Sequence, residues 1–405
     1  MSGTGTSQTD TNSRFEDVDW DEINRSRRFV TPARATLLIG LAIVGALFLY
    51  DSLVAHVYLI ADWRSDWIDW VFLVSIVVVL AYGIVPALER RRTVVRTLRR
   101  LRSRPLVLSA GGYLVLLGIV GLLWPLLDPG SSPTVYHYNP PVGFTSEVHA
   151  QCFGSTAGDP LDETCYGTLQ YPLGTDSMGE RTELLVLAGA RPALYVLAIG
   201  GVLVVPIATA VGVIAGLRGG LVDKLLMSYV DLQLSIPAIL IYFVVYMYYG
   251  PSLLVLLLAF GLFSWGGIAR LVRSEVLQRR DDGHVTVARS LGASELYVVK
   301  RHVLPNITNT LLPAVCHLLA LLVLYEAGVA FLGFHEASVD SWGSTISQSI
   351  TAEIAGQHQT RASVPAYQIW WLSTLPALAL TLTMVSFKLL GDGLRDALDP
   401  RGERR

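Results

Sequence analysis

The chain has 405 residues, of which 52% are hydrophobic and only 16% are charged. Soluble globular proteins carry about 25% charged residues, so this composition excludes an ordinary soluble fold and favours many membrane-spanning segments. The formal net charge of -2 identifies no class of partner, because the charges are sorted along the chain rather than spread evenly.

Residues 1–34 form a polar segment that is acidic from Glu16 to Glu22 and basic from Arg25 to Arg34. No apolar stretch with a small-residue cleavage site follows closely enough for a cleaved signal peptide. We therefore predict a disordered cytoplasmic arm.

Eight apolar windows are long enough to cross a bilayer, which needs about 20 residues of helix. The sequence therefore predicts an all-α, polytopic membrane protein. The fourth window is too long for one straight helix, and we expect it to include a surface-lying piece before Arg191. The predicted spans cover approximately residues 35–55, 69–88, 106–127, 185–216, 226–249, 252–274, 307–333 and 369–390.

Basic residues are concentrated in the segments on one side of these spans. If the amino terminus is cytoplasmic, 27 of the 31 lysines and arginines fall inside, and the outer segments keep only four. Such an asymmetry fixes orientation in the positive-inside rule. It predicts a multi-pass protein of the cell membrane with both termini in the cytoplasm.

Residues 35–104 are predicted to form a helical hairpin that closes with the arginine-rich run ERRRTVVRTLRRLRSRP. This run has the composition to bind anionic lipid or nucleic acid. On the inner side of a membrane we prefer lipid and expect no nucleic-acid partner. We favour a plain topology anchor over either kind of binding.

The outer loop 128–184 contains Cys152 and Cys165, whereas the third cysteine, Cys316, lies in a predicted span. An extracellular loop is oxidising, so we expect a disulfide between the two loop cysteines, and two free thiols are the alternative. Two cysteines without a neighbouring pair do not indicate a metal site, and we predict none.

Catalytic motifs are missing from the sequence. None of its three lysines follows a glycine, which rules out the phosphate-binding GxxxxGK[ST] loop, and HExxH, CxxC and GxSxG do not occur. We therefore expect no enzyme activity and no cofactor in this chain.

Asp231, His317 and Glu326 lie in predicted spans, where ionisable groups are costly. They allow an alternative function, a self-sufficient secondary carrier using Asp231 and Glu326.

A polar segment at 275–305 interrupts the apolar spans and includes RRDDGHVTVARSLGASELYVVKRHVLP. Its pattern predicts a short helix, a turn at Gly292, a second amphipathic helix and a new helix start at Pro305. A water-exposed segment of this kind suits mechanical contact with a soluble partner better than catalysis.

Four stretches in this order make residues 105–400 similar to a known family. They are GTDSMG with GAR, IARLVRSEVL, HVTVARSLGASELYVVKRHVLPN and GDGLRDALDPR. Together they resemble the inner-membrane permease subunits of binding-protein-dependent ABC importers, specifically the C-type subunit of the oligopeptide, dipeptide and nickel group. The third stretch resembles the family's EAA coupling loop, although Thr286, Val287 and Ala288 stand where the family usually has Glu-Ala-Ala.

The resemblance implies a six-helix permease core, to which the hairpin 35–88 adds an extra pair of spans. It implies half of a peptide pathway, completed by a second homologous permease in a heterodimer, with two cytoplasmic ATPases that bind the ATP and an extracellular solute-binding protein. In this scheme the groove of an ATPase receives Val285, Ala288, Leu291, Leu296 and Val299, with Arg289, Glu295 and Arg301 at its rim. The coupling residues that the resemblance implies are Val285, Thr286, Val287, Ala288, Arg289, Leu291, Gly292, Ala293, Leu296, Leu304 and Pro305.

Overall fold

The computed structural model of the protein describes the chain from residue 31 to residue 398, with gaps. The described ranges are 31–55, 65–127, 137–147, 151–158, 163–335, 340–350, 353–355, 361–363 and 365–398. Most of the predicted amino-terminal arm and the end of the GDGLRDALDPR stretch lie outside them.

The described residues are almost entirely helical, in agreement with the all-α prediction. Sixteen α-helices follow one another: α1 Pro32–Tyr50, α2 Trp67–Val79, α3 Val85–Glu89, α4 Arg91–Leu101, α5 Pro105–Leu127, α6 Thr182–Ala188, α7 Ala190–Arg218, α8 Gly220–Ser235, α9 Ala238–Tyr249, α10 Leu253–Phe263, α11 Gly266–Arg279, α12 Gly283–Ser290, α13 Glu295–Val298, α14 Leu304–Phe331, α15 Trp342–Gln348 and α16 Trp370–Leu398. Five short strands, β1 Thr145–Glu147, β2 Thr156–Ala157, β3 Thr164–Tyr166, β4 Glu353–Ala355 and β5 Arg361–Ser363, form antiparallel sheets in the order β1-β3-β2 and β4-β5. Wide π-turns continue three helices, at Asp51–Ala55, Leu80–Ile84 and Val299–Val303.

Within the described residues, seven helical segments are long and apolar enough to cross a membrane, and one bent pair raises that number to eight. Seven of the eight predicted windows correspond to these seven segments. The window 226–249 does not, because α8 and α9 meet at an angle of 73°. Pro237 stands at this break in an extended conformation, since its ring removes the amide that would continue the helix. We therefore correct the fifth span from one helix to a broken pair.

Helix α7 packs closely on α11 in the centre of the bundle, and two glycines make this approach possible. A Cβ at Gly212 would lie 2.5 Å from the carbonyl oxygen of Ala269, and one at Gly216 would lie 2.8 Å from Cβ of Val276. Small residues of this kind let helix backbones come together in membranes. Around this contact lies the largest hydrophobic core of the protein.

The amino-terminal hairpin docks on α7 through one polar cluster. Asp69 of α2 is buried and accepts a hydrogen bond from the Tyr195 hydroxyl, while Nη2 of Arg191 lies 3.6 Å from its Oδ1. The ring of Phe72 stacks on Tyr195 with centroids 4.2 Å apart. A buried carboxylate needs such partners, so the cluster fixes where α2 meets the core.

The described residues of the loop 128–184 include the small sheet β1-β3-β2. Cys152 and Cys165 form a disulfide with Cα atoms 5.5 Å apart, joining the segment before β2 to β3. Their oxidation in the cell stays a prediction.

Helix α6 is separated from α7 at Gly189, where the indole of Trp342 leaves no room for a Cβ.

Candidate coupling site

The coupling segment, residues 275–305, folds as a compact elbow between two long helices. It leaves α11, turns at residues 280–282, forms α12, reverses at Gly292 and enters α13. The predicted order of helix, glycine and helix is therefore present.

Gly292 adopts a φ of +84°, in the left-handed region that favours glycine. No atom lies within 4 Å of the position that a Cβ would take there. Backbone conformation alone, and not crowding, therefore requires glycine. The Ala293 amide donates to the carbonyl of Ala288 across this turn at 3.0 Å.

Helix α12 has two apolar faces. The prediction that Val285 and Ala288 pack into a partner's groove is wrong, because their face is turned toward the protein's own core. Val285 is fully buried in the protein's own core, and Ala288, three residues later, packs against the same core. The opposite face carries Val287 and Leu291, which are 59% and 83% exposed. In a helix, residues three and four apart share a face, so the sequence offers two stripes and tertiary packing chooses between them.

Helix α13 repeats this arrangement. Val298 is fully buried and Val299 packs against the core, whereas Tyr297 is 53% exposed. The prediction of outward packing is therefore also wrong for Val299. The side chains of Arg289 and Leu296 lie outside the described part of the structure.

A shallow surface depression lies on the exposed side of α13, lined by Ser294, Tyr297, Lys300 and Arg301. It combines one aromatic ring with two cations. Glu295 and Thr286 of the same segment are exposed. Aromatic residues and arginine are enriched at protein contact surfaces. Sequence reasoning missed Tyr297, although its aromatic ring in a polar segment was the available signal.

Pro305 does not begin a new helix, which corrects the predicted restart. The π-turn Val299–Val303 leads directly into α14, so the helix continues from Val299 to Phe331. Pro305 occupies the first turn of α14, where the missing amide costs little. Both Leu304 and Pro305 are exposed.

A network of arginines holds the end of α11 from which the elbow extends. Arg273 makes a bidentate pair with Asp223 of α8, with Nη2 donating to Oδ2 at 2.5 Å. Arg280 donates from Nη1 to the Gly216 carbonyl at 3.2 Å, which ties the elbow to the end of α7. Bidentate guanidinium pairs fix geometry, so these contacts position the coupling segment. The sequence motif IARLVRSEVL contains Arg273 but does not reveal its partner.

The GTDSMG stretch forms a buried turn at the other end of the bundle. One Asp176 carboxylate oxygen accepts the amides of Met178 and Glu180, each at 2.8 Å. The Trp371 indole donates to the Thr175 carbonyl at 3.0 Å and so connects the turn to α16. Burial raises the pKa of Asp176, and the two amide hydrogen bonds oppose that shift.

The polar groups considered for a carrier do not form a relay. Asp231 is exposed and pairs with Arg270, whereas Glu326 is buried with a hydrogen bond to Ser341. His317 is exposed on α14. Among the described residues, no group of three His, Cys, Asp or Glu side chains is placed to hold a metal ion.

Comparison with known proteins gives a consistent set of relatives. Residues 208–404 match the family described as binding-protein-dependent transport system inner membrane component. The chain is 32% identical to a putative peptide transport system permease protein of Brucella suis over 58% of this chain and 74% of that protein. It is 30% identical to the oligopeptide transport system permease protein of Haemophilus influenzae, over 56% and 70%.

The dipeptide transport system permease protein of Bacillus subtilis is 28% identical, over 57% of this chain and 69% of that protein. Among solved structures, an inward-facing MetNI methionine ABC transporter covers 55% of this chain and 100% of its own, with a TM-score of 0.44 and 20% identity. The long apolar helices make the chain a multi-pass membrane protein. With relatives this similar over this much of their length, the chain belongs to the family of inner membrane components of binding-protein-dependent transport systems.

Proposed function

We propose that the chain is a permease subunit of an ATP-driven importer for dipeptides or oligopeptides, and that its coupling segment docks on a separate ATPase. The single observation that carries the proposal is the elbow around Gly292, which presents Val287, Leu291 and Tyr297 to solvent on a fixed support. Apolar side chains on a water-exposed loop are unfavourable unless a partner covers them.

In this proposal the buried residues of the elbow and the exposed ones have different roles. Val285 and Val298 anchor the two short helices to the core, and Leu291 and Tyr297 contact the ATPase. The cations Lys300 and Arg301 lie beside that contact and suit acidic side chains on the partner. ATP is bound by the partner, and this chain is not an enzyme.

Peptide as the transported substrate is supported by the relatives, two of which are a dipeptide and an oligopeptide transport system permease. The pathway is shared with a second, homologous permease, and two ATPases and an extracellular solute-binding protein complete the importer. The distribution of basic residues supports a cytoplasmic location for both termini.

The direct test places a photo-crosslinking residue at Leu291 in the assembled complex in its native membrane. We expect the ATPase subunit to be captured there, and we expect no capture from Leu169, an exposed residue of the outer loop. Absence of a crosslinked ATPase from Leu291 would refute the proposed contact.

Transport by the chain alone distinguishes the proposal from a secondary carrier. Proteoliposomes that contain only this chain are expected to take up no peptide, and uptake is expected after addition of the second permease, the ATPases, the solute-binding protein and ATP. A carrier would transport alone. The separation of Asp231 and Glu326 into different environments supports the first outcome.

A further inference from the structure

Helix α4, Arg91–Leu101, is an amphipathic helix that lies outside the spans. The preceding span ends at Glu89 and the next begins at Pro105, so both ends of α4 are tied to membrane helices by a few residues. With 11 residues and five arginines, it is too short and too charged to cross a bilayer. Its position is therefore restricted to the membrane surface.

The apolar face of α4 is largely uncovered by the described residues. Val94, Val95 and Leu98 point to one side of the helix and are 37%, 44% and 50% exposed. Only Leu101, at its end, is buried, in a small cluster with Val107 and Ala397. An apolar stripe at the membrane surface, continuous with a span on each side, fits the acyl boundary of a leaflet.

Four of the five arginines of α4 divide into two groups, and Arg91 at its start shares the face of Val94 and Leu98. Arg100 donates to the Ala397 carbonyl at 3.0 Å, and the neighbouring Arg104 pairs with Asp396, so these two hold the end of α16. Arg92, Arg96 and Arg99 lie on the polar side of the helix, away from the apolar stripe, and are exposed. Within the described part of the chain, no acidic side chain pairs with any of these three.

We propose that α4 lies in the headgroup layer of one leaflet and binds the phosphate groups of anionic phospholipids through Arg92, Arg96 and Arg99. Val94, Val95 and Leu98 enter the acyl boundary beneath them. The planar guanidinium group matches phosphate oxygens in bidentate geometry, and three of them along about two helical turns select negative lipids over zwitterionic ones. The proposal is independent of the proposed transport function.

Two arginines connect the proposed lipid site to the rest of the fold. Arg100 and Arg104 contact the last turns of α16, so the proposed lipid site on α4 is fixed to the carboxyl-terminal end of that helix. Val107 fits against Gly393, where a Cβ would collide with it, so this attachment is closely packed.

The test uses the full chain, alone, in nanodiscs of phosphatidylcholine with a minor share of phosphatidylglycerol. A donor dye is attached at Ser103→Cys, an exposed position just after α4, while Cys316 is buried and the outer pair is bridged. Energy transfer is measured to an acceptor dye on phosphatidylglycerol and, separately, on phosphatidylcholine. We expect several-fold more transfer to the anionic lipid, and a decrease at high salt, because screening shortens the range of the attraction.

The variant Arg92→Gln, Arg96→Gln, Arg99→Gln is expected to abolish this preference. Each arginine near an anionic surface changes relative affinity about 5-fold, so the three together change it on the order of 100-fold. The matched control, Arg25→Gln, Arg27→Gln, Arg28→Gln, changes net charge equally and is expected to keep the preference.

Two results would overturn the proposal. One is equal transfer to both lipids in the wild-type chain, which would mean that α4 does not select anionic lipid. The other is an equal loss of preference in the control variant, which would mean that net charge alone attracts the lipid.

Discussion

Only the backbone conformation at position 292 requires glycine. Substitutions of Gly292 therefore report on the turn itself and not on side-chain packing. Its φ is +84° and the space around a substituted Cβ is open. The left-handed conformation costs an ordinary L-residue about 1–2 kcal/mol, and asparagine tolerates it better than a β-branched residue. Substitutions there therefore test the turn without disturbing any packing.

We predict that Gly292→Val uncouples ATP hydrolysis from peptide uptake, because the elbow reopens and displaces Leu291. Gly292→Asn, the matched control, should keep most of the uptake. Both rates are measured in proteoliposomes with the complete importer, with the amount of membrane-inserted protein as reference. Normal uptake by the valine variant would contradict the proposed role of the turn.

We predict that Gly212→Leu destabilises the bundle by about 1–3 kcal/mol, the usual cost of overpacking. The reason is that Gly212 meets the α11 backbone at Ala269. Gly201→Leu serves as the control on the same helix, since nothing lies within 4 Å of a Cβ there. Thermal unfolding in detergent compares the two, and equal midpoints would argue against close packing of α7 on α11.

The sequence predicted residues with an unusual local backbone conformation better than it predicted which residues are in contact in the fold. Gly292 was predicted from one glycine between two helical patterns, because left-handed backbone is a local property. The inward direction of Val285 was not predictable, since α12 has apolar residues on both faces. The contact of Trp371 with Thr175 joins residues 196 positions apart, which no local pattern records.

At the scale of the element, the amino-terminal hairpin depends on its polar cluster with α7. We predict that Asp69→Ala and Tyr195→Phe each reduce stability by about 2 kcal/mol, the range for hydrogen bonds to charged groups. Their double variant should lose clearly less than the sum, because both changes remove the same hydrogen bond. A double-mutant cycle by unfolding in detergent measures this coupling, and additive losses would show that the two residues do not interact.

Span lengths and the break before Arg191 were predictable from the sequence, whereas the break in the fifth span was not. The window 226–249 has no charged residue at its break, so only Pro237 signalled the 73° bend between α8 and α9. At Pro305 the error was the opposite, because a new helix start was predicted where the helix continues. The π-turn before it admits a proline without breaking the helix, so the same residue type ends one helix and lies inside the first turn of another.

At the scale of the whole molecule, orientation can be tested with the cysteines. We predict that a membrane-impermeant maleimide labels Leu169→Cys in intact cells and labels Ser294→Cys only after permeabilisation. The distribution of basic residues predicts a cytoplasmic coupling segment, and both positions are exposed. Cys316 is buried and serves as the unlabelled background, and Cys152 and Cys165 should react only after reduction. Labelling of Ser294→Cys in intact cells would invert the topology.

The family match begins at residue 208, so it includes the coupling segment and leaves the amino-terminal hairpin outside. The amino-terminal segment contacts the core at two places. Asp69 pairs with Arg191 of α7, before the start of the family match, and Arg100 of α4 donates to the Ala397 carbonyl at the end of α16, within it. The amino-terminal segment is therefore attached to the core, and the proposed lipid contact of α4 gives it a function separate from transport.

The uninterrupted course of the helix from Val299 to Phe331 has one more consequence. At 1.5 Å per residue its 33 residues measure about 50 Å, enough to traverse the entire bilayer. Near its far end, Gly343 of α15 lies directly against the backbone of Ala327. Pro313 lies inside this helix and is the residue at which the helix is expected to bend. If the coupling segment receives force from an ATPase as proposed, that force would therefore change the bend at Pro313 as well as shift the helix.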